Sequence, residues 1–148
     1  MTPIPLQSPA ATEDFGRRLA SLLRPGDVVA LEGDLGAGKT TLARGILRGL
    51  GHEGEVASPT FPIVVPYEEL AVPAWHVDLY RIESPAELEE LALDEALFHA
   101  ALLIEWPERL GAGLWPESLR LGLRRDGEGA RALTALVPPA WGTRWPPP

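Results

Sequence analysis

Apolar residues fall into short blocks along the chain, and the spacing inside each block predicts an element. From Thr12 to about Leu23, the residues Phe15, Leu19, Leu22 and Leu23 share one helical face. Thr12 is placed to cap that helix, and Pro25-Gly26 ends it. Asp27 to Glu32 (DVVALE) is a short apolar run between turn signals, the pattern of a buried strand. Helical spacing returns from Lys39 to Leu50, with Leu42, Ile46 and Leu50 facing inward and Gly51 as the stop. Phe61 to Tyr67 (FPIVVPY) and Pro73 to Tyr80 (PAWHVDLY) are two β-like runs at hairpin spacing. Ser84-Pro85-Ala86-Glu87 joins a capping box to a proline at the first helical position. It predicts a helix through Leu88 and Leu91 that breaks and resumes to His99. Ala101 to Glu105 (ALLIE) is a second fully apolar strand. Leu119, Leu121 and Leu123 then alternate with Arg120 and Arg124, and Asp126-Gly127-Glu128-Gly129 turns the chain into a last strand from Arg131 to Val137. Residues 1–10 and 138–148 are broken by proline and predict irregular tails. The sum is an α/β fold with a parallel nucleus and added antiparallel strands.

Length and composition narrow the class. The 148 residues, without internal repeat or linker, predict one domain with a real core. No apolar run reaches the ~20 residues that a membrane span needs, and MTPIPLQSPA has neither the charge nor the apolar run of a secretory signal. With no cysteine there is no disulfide, thiolate zinc site or thiol nucleophile. These features place the expected location in the cytoplasm. The net charge of −8 argues against strong independent binding of nucleic acid, though not against joining a complex in which a partner holds it. Asparagine is absent, Gln7 is the only glutamine, Met1 is the only methionine and prolines number sixteen, a composition that fits a thermophile. Arginines outnumber lysines twelve to one, and the one lysine is Lys39.

That lysine sits in Gly33-Asp34-Leu35-Gly36-Ala37-Gly38-Lys39-Thr40, a complete G-x-x-x-x-G-K-[ST] phosphate loop between a predicted strand and a predicted helix. The glycines let the backbone curl so that successive N–H groups face phosphate oxygens. The helix N-terminus adds partial positive charge. Lys39 supplies an ammonium for the β- and γ-phosphates, and the Thr40 hydroxyl is placed to ligate Mg²⁺. The nucleotide-binding positions are thus Leu35, Gly36, Ala37, Gly38, Lys39, Thr40 and Thr41. An Asn-Lys-x-Asp guanine motif is impossible without asparagine or a second lysine, so ATP is the expected nucleotide. The fold class sharpens to a P-loop NTPase-like three-layer sandwich.

Such a loop works with an acid at the end of a neighbouring strand. Glu105 ends ALLIE and is the magnesium-acid candidate, with Trp106 directly after it. Asp78 ends AWHVD and is open to either role, positioning water or holding metal. Lys39, Asp78 and Glu105 form the catalytic set; Thr40 and Glu105 form the metal set. Ser58-Pro59-Thr60-Phe61 lies where related nucleotide-binding folds carry a switch, and reads equally as a proline turn with capping hydroxyls. Ser58, Thr60 and Trp106 are the candidates for sensing a partner or the nucleotide state. The histidines His52, His76 and His99 have no metal-ligand spacing and are assigned to surface or packing roles.

GDLGAGKTT (Gly33–Thr41), SPTF (Ser58–Phe61), HVDLYR (His76–Arg81) and IEWPERL (Ile104–Leu110) occur in one order and spacing. Together they resemble the TsaE family of small bacterial ATPases of tRNA threonylcarbamoyladenosine biosynthesis, over about Thr12 to Val137. The resemblance implies a weak ATPase that acts with TsaD and TsaB, resetting or regulating them, and meets tRNA only through that complex. It implies that Gly36 to Thr41 bind phosphates, that Thr40 and Glu105 hold Mg²⁺, and that Asp78 and Trp106 lie in the site. It also implies that Thr12 lies near the adenine pocket. Phe61 departs from the tyrosine of many relatives, and the short prolyl C-terminus from a longer tail. Two other readings stand beside this one: a small-molecule kinase on the same core, and a nucleotide-binding scaffold without useful hydrolysis.

Overall fold

A computed structural model describes residues 2–148. Its strands form one seven-stranded sheet in the order β1-β7-β6-β2-β5-β4-β3. These strands are β1 (Ile4–Leu6), β2 (Val28–Glu32), β3 (Val64–Tyr67), β4 (Ala74–Asp78), β5 (Ala101–Glu105), β6 (Leu119–Arg125) and β7 (Arg131–Leu136). The middle four, β6, β2, β5 and β4, run parallel. Antiparallel pairs close both sides, β3 on β4 and then β7 and β1 beyond β6. This is the parallel nucleus with antiparallel additions that the hydrophobic pattern predicts.

The central strands are apolar on both faces because both faces are covered. Val29 and Leu31 of β2 and Leu103 of β5 pack beneath α1 (Pro9–Ala20) and α2 (Lys39–Gly49). Val28, Leu102 and Ile104 point the other way, toward Leu93 and Ala96 of α4 (Leu93–Ala96). The short α3 (Pro85–Glu90) buries no residue fully, and Leu88 and Leu91 rest partly buried on that second core. The break between α3 and α4 falls at Ala92, which is left-handed at φ 54°. In β6, Leu119, Leu121 and Leu123 are buried while Arg120 and Arg124 are exposed, as alternation requires.

Helices α1 and α2 meet backbone to backbone. A Cβ added at Gly45 would lie 2.1 Å from the Glu13 carbonyl oxygen, and one at Gly16 would lie 2.6 Å from that of Leu42. Only glycine permits that approach.

Two expectations about the tails need correction. Residues 2–10 are not irregular throughout: Ile4–Leu6 pairs with β7 at the sheet edge, and α1 already begins at Pro9. Thr12 is accordingly not the N-cap. Ser8 is, accepting a hydrogen bond from the Ala11 N–H at 3.0 Å, with proline following as the first helical residue. At the other end, Pro139–Trp141 forms a short 3-10 turn that seats Trp141 in the core at 1% exposure.

Candidate active site

The site forms where the parallel strands end. Leu31 of β2 and Asp78 of β4 both lie in register with Glu105 of β5, so the three strand ends open into one crevice. Beyond β2 the chain curls through positive-φ glycines, Gly33 at 147°, Gly36 at 79° and Gly38 at 105°. It then enters α2 at Lys39. The phosphate loop therefore faces the two strand-end carboxylates across the crevice.

Leu35, Gly36, Gly38, Lys39, Thr40, Thr41, Thr60, Asp78, Glu105, Trp106 and Arg131 line one pocket of about 240 Å³. A larger groove of about 620 Å³, between α3, α4 and the turn after Trp106, contains no phosphate-loop residue. Size alone does not locate the chemistry here. Ala37 is buried behind the loop, and Leu35 is exposed.

Inside the pocket the assigned groups touch. The Thr40 hydroxyl lies 3.1 and 3.0 Å from the two Glu105 carboxyl oxygens. The Lys39 ammonium donates to the Gly33 carbonyl and stands 3.5 Å from the centroid of the Trp106 ring. Burial pulls the Lys39 pKa below its usual 10.5, against the opposing pull of Glu105, Glu108, Asp78 and Asp34. Asp78 is buried and accepts from the Tyr80 N–H at 2.8 Å and from the Thr60 hydroxyl at 3.2 Å. Thr60 is bonded in turn to the Ser58 hydroxyl at 2.9 Å. The segment 58–61 is thereby wired to a strand-end acid, while Phe61 stands 81% exposed beside Arg81.

Trp106 sits at the rim, partly buried, with left-handed backbone at φ 59° and Tyr80 at 4.8 Å between ring centroids. That conformation turns the chain sharply after the acid and lays the indole over Lys39. Thr12 is elsewhere. It is buried in α1, outside the pocket lining, and its hydroxyl has no partner among the described residues.

Two residues of the site escape a reading of the sequence. Arg131, in β7, donates to the carbonyls of Ala37 at 2.7 Å and Gly36 at 3.2 Å. Its partner in register, Arg125, approaches the same loop: a Cβ on Gly36 would lie 2.5 Å from its guanidinium. His76 is fully buried and lies 2.7 Å from the second Glu105 oxygen. The packing role expected of His76 is thus joined to a contact with the site, which only strand register reveals. His52 and His99 keep surface contacts, with the Glu55 carbonyl and with Glu68.

A glycine-rich loop between a parallel strand and a helix, facing two strand-end acids, defines a phosphate-loop nucleotide-binding protein. Comparison with known proteins narrows that class. The profile of the family described as "Threonylcarbamoyl adenosine biosynthesis protein TsaE" matches residues 6–133, and the chain belongs to that family. The tRNA threonylcarbamoyladenosine biosynthesis protein TsaE of Bacillus subtilis is 41% identical over 129 residues, 86% of this chain and 80% of the relative. The protein of the same name from Streptomyces coelicolor is 43% identical over 136 residues, covering 89% and 92%. The crystal structure of Bacillus subtilis YdiB superposes with a TM-score of 0.76 at 30% identity, over 97% of this chain and 93% of that one.

Proposed function

We propose that this chain binds ATP with Mg²⁺, hydrolyses it slowly on its own, and serves the synthesis of N6-threonylcarbamoyladenosine in tRNA. It would do so as the nucleotide-driven member of an assembly with TsaD and TsaB, which would stimulate the hydrolysis. The observation that carries this is one pocket holding Lys39, Thr40, Asp78 and Glu105 at the end of a phosphate loop, in a chain whose relatives are named for that pathway. Relatives so named do not favour a small-molecule kinase.

The geometry supports a division of labour. Curled loop amides and the Lys39 ammonium receive the phosphates. Thr40 and Glu105 offer only oxygen donors, and they already converge to within 3.1 Å of each other. Such a set suits Mg²⁺, a hard cation held by one or two carboxylates together with nucleotide phosphates. Bound there, the ion would neutralise charge developing on the phosphoryl oxygens. Asp78 positions the attacking water, its orientation fixed by Thr60 and Tyr80. The Ser58–Thr60 link carries nucleotide state to the exposed segment around Phe61, where a partner reads it. tRNA is met through the partners, in keeping with the charge of −8.

ATP turnover measured alone, with TsaD–TsaB, and with TsaD–TsaB plus tRNA tests the proposal. Stimulation by the partner complex is expected. Turnover indifferent to it, or stimulated instead by small acceptor molecules, refutes the proposal.

A further inference from the structure

Two residues hold Glu105. Thr40 meets both of its oxygens, and His76 meets the second at 2.7 Å. His76 lies two residues before Asp78 on β4, so the two side chains share a face of the sheet. Register places His76 opposite Leu103 and Asp78 opposite Glu105. His76 therefore reaches Glu105 on the diagonal, at 0% exposure. A carboxylate can only accept, so imidazole Nε2 donates. The other ring nitrogen, Nδ1, has no partner among the described residues. A buried histidine with one nitrogen committed to a single acidic residue and the other left orphaned is costly as core packing alone.

We infer that His76 is a positioning residue: its Nε2–H clamps the Glu105 carboxylate in the rotamer that presents the other oxygen to Mg²⁺. This rests on the metal role proposed above for Glu105. Outer-shell donors of this kind orient the ligand and restrict its motion, and their loss typically weakens metal binding about 10–100-fold. His76 itself touches neither nucleotide nor metal.

The test compares His76→Gln with His76→Asn. Both place an amide in the same buried space. The glutamine amide reaches the place of Nε2 and can donate to Glu105; the shorter asparagine amide reaches only the place of Nδ1. Mn²⁺ is the probe, its affinity for the ADP complex read by electron paramagnetic resonance, with metal-free ADP affinity and thermal melting measured in parallel. His76→Asn is expected to weaken Mn²⁺ binding about tenfold or more, while His76→Gln stays within about threefold of the parent. Metal-free ADP affinity should change little in either. A folded His76→Asn protein with parental Mn²⁺ affinity overturns the inference, as does equal weakening in both variants. Glu105→Ala separates the two levels. If it leaves Mn²⁺ affinity intact, the metal role of Glu105 fails and the inference with it. If it weakens Mn²⁺ while His76→Asn does not, only the inference fails.

Discussion

At the scale of the residue, Lys39 shows function set against stability. The residue is 4% exposed, and burial outweighs the surrounding carboxylates in lowering its pKa. The unfolded chain holds that proton up to about pH 10.5, whereas the folded one releases it earlier. Between those two points the unfolded state binds more protons, so stability rises with pH through that window and is lowest below it. Removing the charge removes the cost. Lys39→Met is therefore expected to melt at or above the parent temperature at neutral pH while losing ATP binding, as calorimetry and titration on one sample will show. A clearly lower melting temperature would mean that the contacts with Gly33 and Trp106 outweigh desolvation. Thr40 and Glu105 make a second case. Because they touch, Thr40→Ala and Glu105→Ala should weaken Mg²⁺-dependent ATP binding by less together than the sum of the two, with a coupling of roughly 0.5–3 kcal/mol. Additive losses across the double-mutant cycle would place the two on separate tasks.

At the scale of the element, the contact between α1 and α2 sets the floor under the phosphate loop. Gly45→Ala adds a methyl where the Glu13 carbonyl already stands at 2.1 Å, and that neighbour is backbone, not a side chain that can swing aside. Alanine would gain about 1 kcal/mol of helix propensity. Forced overpacking costs about 1–3 kcal/mol and should win. A lower denaturation midpoint at unchanged slope is the expected reading. Much of this scale is legible in the chain. The apolar runs at Val28–Glu32 and Ala101–Glu105 read as buried strands because they are covered on both faces, and the phosphate loop names its own strand and helix. The first ten residues misled because prolines mask both signals there. Pro5 is tolerated since β1 is an edge strand, and Ser8-Pro9 is a cap and first turn that the more apolar-flanked Thr12 obscures. Arg131 and His76 were invisible for another reason: their contacts cross 94 and 29 positions of sequence, and only strand order and register bring the partners together.

At the scale of the whole molecule, two tryptophans separate fold from work. Trp141 is 1% exposed and belongs to the core, whereas Trp106 is partly buried at the crevice rim. Trp141→Ala should cost about 3–5 kcal/mol of stability, as core aromatic truncations do. Trp106→Ala should cost clearly less, yet abolish the proposed stimulation of ATP turnover by TsaD–TsaB. Melts of both variants beside partner-stimulated assays will check this; a larger melting shift for Trp106→Ala would return it to the core. The burial of Lys39 has an analytical consequence as well. The chain spreads twelve arginines over its length but has a single lysine, so amine acylation can modify only one side chain, at the floor of the phosphate pocket. Its lowered pKa leaves more of that amine unprotonated at a given pH than in an exposed lysine, while burial limits the reagent's access. Acylation of Lys39, followed by intact mass and peptide mapping, thus becomes a footprint of the pocket: ATP should shield it, and the fraction left unmodified should report occupancy in a mixture of any complexity.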